Sequence, residues 1–229
     1  MANISVRNQV KPLKDAPRIL LVDDHPVARQ GVRLLIESAG DLTVCGEAPD
    51  ADEAITLIPK LKPDLAIIDL SLKGKPGLEL IKDLAARYEK LLMLVLSMHD
   101  ENMYAERALR AGARGYIMKQ EATEKILLAI RRILAGDIYV SEAIAARVLR
   151  QLAVSGNQPL KSSLDLLTDR ELEIFQFLGQ GKPVREIAKM LHLSTKTIEA
   201  HREHIKEKLN LASSSELLRM AIQVTMEAE

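Results

Sequence analysis

Tryptophan is absent from this 229-residue chain, phenylalanine occurs twice and tyrosine four times. A core without large rings must be filled by aliphatic side chains, and a hydrophobic content of 47% supplies them. One cysteine, Cys45, excludes an internal disulfide and with it the stapled frameworks of small secreted proteins. It falls in the apolar run Leu42 to Ala48, where a thiol is expected to serve as a small core hydrophobe. No apolar run reaches the ~20 residues that cross a bilayer, and no charged-then-apolar leader opens the chain, so a cytoplasmic protein without a membrane partner is expected. Neither sign of charge prevails, with 32 basic and 32 acidic residues. That balance argues against a protein that coats nucleic acid indiscriminately and leaves room for local basic patches.

The length suits two domains, each large enough to bury a core. Residues 1–16 mix Asn, Lys, Pro and Gln without periodicity and read as a flexible tail. Strand and helix patterns then alternate five times. Helices are expected at Val27 to Ala39, Asp50 to Leu61, Gly77 to Tyr88, Asn102 to Ala111 and Thr123 to Ala135, several of them stopping at a glycine. A helix from Ser141 to Leu152 leads into Val154 to Ser163, a Ser, Gly, Asn and Pro mixture that marks a linker. Beyond it lie only short helices, Thr168 to Gly179, Pro183 to Leu191, Ser194 to Leu209 and Ser213 to Met226. The expected division is a tail at 1–16, an α/β domain at 17–137, a helix and linker at 138–163 and a small all-α domain at 164–229. The α/β domain should be a right-handed, doubly wound, five-stranded parallel sheet.

Four of its apolar runs end on polar residues. Arg18 to Val22 leads into Asp23 and Asp24, Leu65 to Ile68 into Asp69, Leu91 to Leu96 into Ser97, and Gly115 to Met118 into Lys119. Ligand sites of parallel sheets lie at the carboxyl ends of strands, so these residues should converge. An acidic pair ahead of a helix is ordinarily a cap with a dipole-compatible neighbour. The joint placement of all five points instead to a phosphoryl-acceptor pocket, in which crowded carboxylates raise each other's pKa and a divalent cation relieves them.

On these residues, 17–137 resembles the receiver domain of bacterial two-component response regulators, a flavodoxin-like fold. The resemblance implies that Asp69 accepts the phosphoryl group as an acyl phosphate. It implies Mg2+ held by Asp24, Asp69 and the Ser71 backbone carbonyl, with Asp23 acting through water. It gives Lys119 and Ser97 the phosphate oxygens and makes Tyr116 an aromatic switch, a role weighed against that of a strand aromatic packed on the sheet. His25 is expected to be an exposed loop residue and not a ligand. In Leu72-Lys73-Gly74-Lys75-Pro76-Gly77, Lys73 stands where a common form of the family has proline, which leaves the rigidity of this loop open. Met93, Met98, Met103 and Met118 are expected to fill gaps in the core.

The second half carries Leu167-Thr168-Asp169-Arg170-Glu171, then Gly181 through Ala188, then Leu193 through His201. Pro183 suits a first helical turn and Ser194 a cap. Ile198, Ile205 and Leu209 fall on one face of the following helix, leaving Lys196, Glu199, Ala200, Glu203 and Glu207 outward with Lys206 on the flank. This resembles the LuxR-type helix-turn-helix, and joined to a receiver it is similar to the NarL/FixJ-type transcription regulators. From Lys182 to Lys208 seven basic residues face four acidic ones. Lys182, Lys196, Arg202 and Lys206 are the expected phosphate contacts, with Thr197, Glu199, Ala200 and Glu203 at or beside the reading positions of the helix. Ser213 to Met226 reads either as a dimer face or as the helix that closes the core.

The expected function is a phosphorylation-controlled DNA-binding regulator, not an enzyme. A sensor histidine kinase, double-stranded DNA, RNA polymerase and, once phosphorylated, a second copy are the implied partners. Two rivals stand beside it: a phosphorylation-independent regulator with a structural receiver, and a phosphoaspartate hydrolase. The second is disfavoured by Ser71, which occupies the position where such an enzyme needs an acid/base.

Overall fold

A computed structural model describes residues 16–155 and 163–228. Strands and helices alternate as β1 (Arg18–Val22), α1 (Pro26–Ser38), β2 (Thr43–Ala48), α2 (Ala51–Leu61), β3 (Leu65–Ile68), α3 (Gly77–Arg87), β4 (Leu92–Ser97), α4 (Glu101–Ala111), β5 (Gly115–Met118) and α5 (Ala122–Leu134). Helices α6 (Glu142–Ser155), α7 (Asp169–Gly179), α8 (Val184–Met190), α9 (Thr195–Lys208) and α10 (Ser214–Ala228) follow. The expected tail lies almost wholly outside the described residues, as does most of the expected linker. Helix α6 runs three residues past the Leu152 end that was expected.

All five strands pair in parallel, in the order β2-β1-β3-β4-β5. The order reverses between β1 and β3, which opens a crevice at their carboxyl ends. Alternate residues bury on both faces of the sheet. Leu20, Val22, Ala66, Ile68 and Met93 pack in one cluster with Ile58, Leu80, Leu84 and Ala108 of α2, α3 and α4. Ile19, Leu21, Ile67, Leu94 and Leu96 pack in the other with Ile36 of α1 and Ile126 and Ile130 of α5. Tyr139 adds a short parallel bridge beside β5.

Two expectations about the core fail here. Cys45 is only half-buried, because β2 is an edge strand with a paired neighbour strand on one side alone. Met98 is 59% exposed, since it lies just past the end of β4; Met93 alone of the four expected methionines is fully buried, while Met103 and Met118 are intermediate.

The loop after Asp69 is tied down although Lys73 replaces the family's proline. Lys73 bridges Asp50, and Gly77 N donates to Leu70 O at 2.9 Å. A Cβ at Gly77 would lie 2.2 Å from the Asp69 carbonyl oxygen, so only glycine lets α3 begin this close to the loop.

In the second half, Thr168 and Glu171 form a reciprocal capping box at the start of α7. Ser194 accepts from Thr197 N at 3.0 Å to start α9, and Pro183 caps α8 from just outside its first turn. Ile198 and Ile205 bury inward as expected, with Leu209 at the margin of the core. Helix α10 proves to be split: Leu217 and Ala221 are fully buried and close the core, whereas Leu218 and Ile222 remain exposed.

Candidate functional site

Four of the five strand-end residues, Asp23, Asp24, Asp69 and Lys119, converge, and Ser97 ends the neighbouring strand β4. Lys119 Nζ stands 2.7 Å from Asp69 Oδ2 and 2.7 Å from Asp23 Oδ2, bridging the carboxylates of β3 and β1. Burial raises the Asp69 pKa, with Asp23 adding to the rise and Lys119 working against it. For Lys119 burial pulls downward, but the two carboxylates outweigh it and the pKa rises. The ammonium therefore keeps its charge at neutral pH.

Asp24 completes the acidic group. Its Oδ1 is buried and makes no hydrogen bond, although His25 Nδ1 approaches to 2.7 Å outside hydrogen-bond geometry. His25 is 63% exposed in its side chain, as expected, yet its ring also lies 3.3 Å from Asp23 Oδ1. Asp23, Asp24 and Asp69 each offer an oxygen within one cation-sized cluster, and an orphaned buried carboxylate oxygen among them is the feature that a hard divalent ion satisfies. Ser71 N donates to Asp69 Oδ1 at 3.3 Å.

Ser97 is fully buried, its Oγ accepting from His99 N at 3.2 Å. Tyr116 is turned inward, only 2% exposed, and donates its hydroxyl to the His99 carbonyl at 2.8 Å. Burial pushes its phenol pKa well up, so it remains a donor.

What lies above this pocket was not legible from the residues alone. Helix α7 of the second half rests on the loops that follow β3 and β4. His99 Nδ1 meets Gln176 Oε1 at 2.5 Å, Arg170 Nη2 donates to Gly74 O at 2.8 Å, and Lys82 Nζ pairs with Asp169 Oδ2 at 2.7 Å. Arg107 donates to the carbonyls of Leu164 and Leu167. Asp169, Glu173 and Gln176, spaced four and three apart on one helical face, are all buried. Their spacing was the only available signal, and it reads equally well as a solvated stripe.

Of the expected DNA contacts on α9, Lys196, Glu199, Ala200 and Glu203 are exposed, while Thr197, Arg202 and Lys206 are half-buried. Three of the four expected cations are already partnered: Arg202 with Glu199 at 2.9 Å, Lys206 with Glu203 at 2.8 Å, and Lys182 with Glu186 at 2.8 Å. Each pair has its carboxylate in solvent, where such ion pairs are weak. His201 and His204 stand near Glu171, whose Oε2 already accepts from Thr168 N and Lys208 Nζ, so this group serves the cap of α7.

Comparison with known proteins places both halves. The profile of the response regulator receiver domain matches residues 19–131, and that of the bacterial regulatory proteins of the luxR family matches residues 165–221. The chain is 35% identical over 210 residues to the oxygen regulatory protein NreC of Staphylococcus aureus, covering 90% of this chain and 97% of NreC. It is 36% identical to a solved LuxR-family two-component response regulator from Aurantimonas sp. SI85-9A1, over 60% of this chain and 99% of that one, with a TM-score of 0.56. RcsB from Salmonella enterica serovar Typhimurium, solved bound to promoter rprA with the phosphomimetic BeF3-, is 27% identical over 90% and 98% of the two chains, with a TM-score of 0.59.

Proposed function

This chain belongs to the response regulators that join a receiver domain to a LuxR-type helix-turn-helix, and on that footing we propose how its residues divide the work of a phosphorylation switch. The protein is a phosphorylation-controlled, DNA-binding transcription regulator. Its partners are a sensor histidine kinase, double-stranded DNA and a second copy of itself, with RNA polymerase the further partner of a promoter-bound regulator. We assign the receiver to 17–137, the connecting helix and linker to 138–163 and the output domain to 164–229; the two family matches, at 19–131 and 165–221, fall within those bounds. We read it as a cytoplasmic protein, and among the described residues no helix is long and apolar enough to cross a membrane.

Asp69 is the acceptor. One of its oxygens attacks the phosphorus of a phosphohistidine, a P–O bond forms as the P–N bond breaks, and the imidazole leaves with the electron pair. Asp24, Asp69 and the Ser71 carbonyl would hold Mg2+, with Asp23 reaching it through water, and the ion would supply positive charge to offset that of the transferred group. Lys119 then gives its charge to a phosphoryl oxygen and Ser97 donates its hydroxyl to another. Tyr116, bonded to the backbone two residues beyond Ser97, moves with that loop and serves as the switch aromatic. In the output domain, Lys182, Lys196, Arg202 and Lys206 engage the DNA backbone, with Thr197, Glu199, Ala200 and Glu203 at or beside the positions that face base edges. The exposed row Leu218 and Ile222 on α10 supports a dimer contact.

The observation that carries this reading is the Lys119 clamp on two carboxylates beside the unsatisfied Asp24 oxygen. A dedicated hydrolase is less well supported, because Ser71 and not an acid follows Asp69 by two residues. The test is intact-mass measurement after incubation with acetyl phosphate and Mg2+. Wild type should gain one phosphoryl group and Asp69→Asn none; a wild type that gains nothing leaves the receiver a structural domain, and a labelled Asp69→Asn removes Asp69 as the acceptor.

A further inference from the structure

Both backbone polar groups of Asp23 are held from the end of β2. Its N–H donates to the Ala48 carbonyl at 3.1 Å, and its own carbonyl accepts from Nη1 of Arg29. The same guanidinium, carried by α1, donates through Nε to Glu47 Oε2 at 2.6 Å. Glu47 and Ala48 are consecutive residues of the edge strand, and Glu47 lies beside Leu21 of β1 in the sheet. A planar fork with separate N–H groups is what lets one side chain span a carboxylate and a carbonyl. The Arg29 side chain is only 15% exposed, so its pair with Glu47 escapes much of the screening that weakens surface ion pairs.

We propose that Arg29 is a positioning residue for the divalent cation: it ties the peptide between Asp23 and Asp24 to β2 and thereby sets the affinity of the acceptor pocket for Mg2+. The inference rests on the reading of Asp24 and Asp69 as ligands of that ion. Asp24 Oδ1 is buried and finds no hydrogen-bond partner among the described residues, so the aim of this carboxylate follows from its backbone. That backbone begins at the peptide whose carbonyl Arg29 holds. The other carboxylates have side-chain or backbone donors of their own, Asp23 from Lys119 and His25 N, and Asp69 from Lys119 and Ser71 N. Groups behind a metal ligand that fix its orientation are typically worth about tenfold or more in metal affinity.

A cation beside a cation site must have its charge offset. Glu47 faces Arg29 and also Arg33, whose Nε stands 2.6 Å from Glu47 Oε1 and 4.0 Å from Glu37 Oε1. Two arginines and two glutamates leave this network neutral, so Arg29 serves the pocket as a hydrogen-bond donor without adding net charge. Arg33 is the natural control. It fastens α1 to Glu47 as Arg29 does, but among the described residues its ion pairs are with Glu37 and Glu47 and not with the loop of Asp23.

The experiment uses the full chain as wild type, Arg29→Met, Arg29→Lys, Arg33→Met and Asp24→Ala. Mg2+ affinity is measured by calorimetric titration, the thermal midpoint is recorded without divalent cation, and the Mg2+ concentration that half-saturates phosphoryl uptake from acetyl phosphate is read by mass. Arg29→Met should bind Mg2+ about tenfold more weakly and raise the half-saturating concentration by the same factor. Arg33→Met should lower the midpoint and keep the wild-type affinity, since it loosens α1 without freeing the Asp23 carbonyl. Arg29→Lys keeps a charge for Glu47, but one ammonium does not span both acceptors. It should bind Mg2+ weakly at a midpoint near that of the wild type, and it decides the matter should Arg29→Met fail to fold. No Mg2+ binding by the wild type, or undiminished binding by Asp24→Ala, overturns the reading of the ligands and this inference together. Binding that is lost in Asp24→Ala, with affinity unchanged in the Arg29 variants or equally reduced in Arg33→Met, leaves the ligands standing and overturns the positioning role of Arg29.

Discussion

Arg170 of α7 donates to the carbonyl of Gly74, 96 positions earlier in the chain, at 2.8 Å. Through its other nitrogen the same guanidinium pairs with Glu173 at 2.6 Å. One cation from the output domain thus binds the loop that carries Asp69 and neutralises a carboxylate of its own helix.

Removing the Lys119 charge should destabilise the receiver. Lys119→Met leaves Asp23 and Asp69 facing each other, both buried, and loss of one partner from such a group costs about 3 kcal/mol. Thermal unfolding without divalent cation should show the loss, and Mg2+ should restore part of it. An unchanged midpoint would contradict the clamp.

Mg2+ should stabilise the wild type by itself, since a ligand of the native state present at a hundredfold excess over Kd adds about 2.7 kcal/mol. Asp24→Ala removes the orphaned oxygen and should abolish the shift while the protein remains folded. An equal shift in both proteins would place the ion elsewhere.

Two buried groups at the domain interface titrate in opposite senses. Burial raises Glu173 from 4.5 to about 7, against the pull of Arg170 and with Asp69 adding to the rise. The docked form therefore binds this proton more tightly than the undocked form, and docking weakens as pH climbs from 4.5 to about 7. His99, whose Nε2 lies 3.8 Å from Glu173 Oε1, is lowered from 6.5 to about 4 by burial, so its contribution to docking falls away as pH drops through that window. The two slopes nearly cancel between pH 4.5 and 6.5. Glu173→Gln should uncover the histidine slope, with scattering showing expansion as pH falls from 6.5 toward 4. A flat profile in the variant would show that undocking does not expose His99.

On a random-sequence duplex, Lys196→Ala should weaken binding and reduce the salt slope by about 1, as loss of one phosphate contact does. Glu199→Ala should strengthen the same nonspecific binding, because it removes a repulsive carboxylate and frees Arg202. Fluorescence anisotropy across a salt series separates the two, and weaker binding by Glu199→Ala would mean that the helix does not present this face to DNA.

The receiver sheet was readable because each of its inner strands is a short aliphatic run buried on both faces, and the site followed because its residues occupy the first positions after those runs. Boundaries shifted by a residue or two at most helix ends, and the capping residues Asp50, Asp100, Thr168 and Ser194 explain where the helices start. Cys45 and Met98 were misjudged for one reason. Local hydrophobicity does not say that β2 is an edge strand or that β4 ends before Met98.

Sequence alone determined the strand-end constellation of Asp23, Asp24, Asp69, Ser97 and Lys119, and the inward stripe of α9, because periods of 2 and 3.6 residues dictate which positions share a face. Tertiary structure decided what covers each face. The stripe Asp169, Glu173 and Gln176 is polar and would be satisfied by water or by another domain. Only packing against α3, α4 and the loop at His99 selects the domain, because hydrogen-bonding groups fix the need for a partner and not which partner meets it.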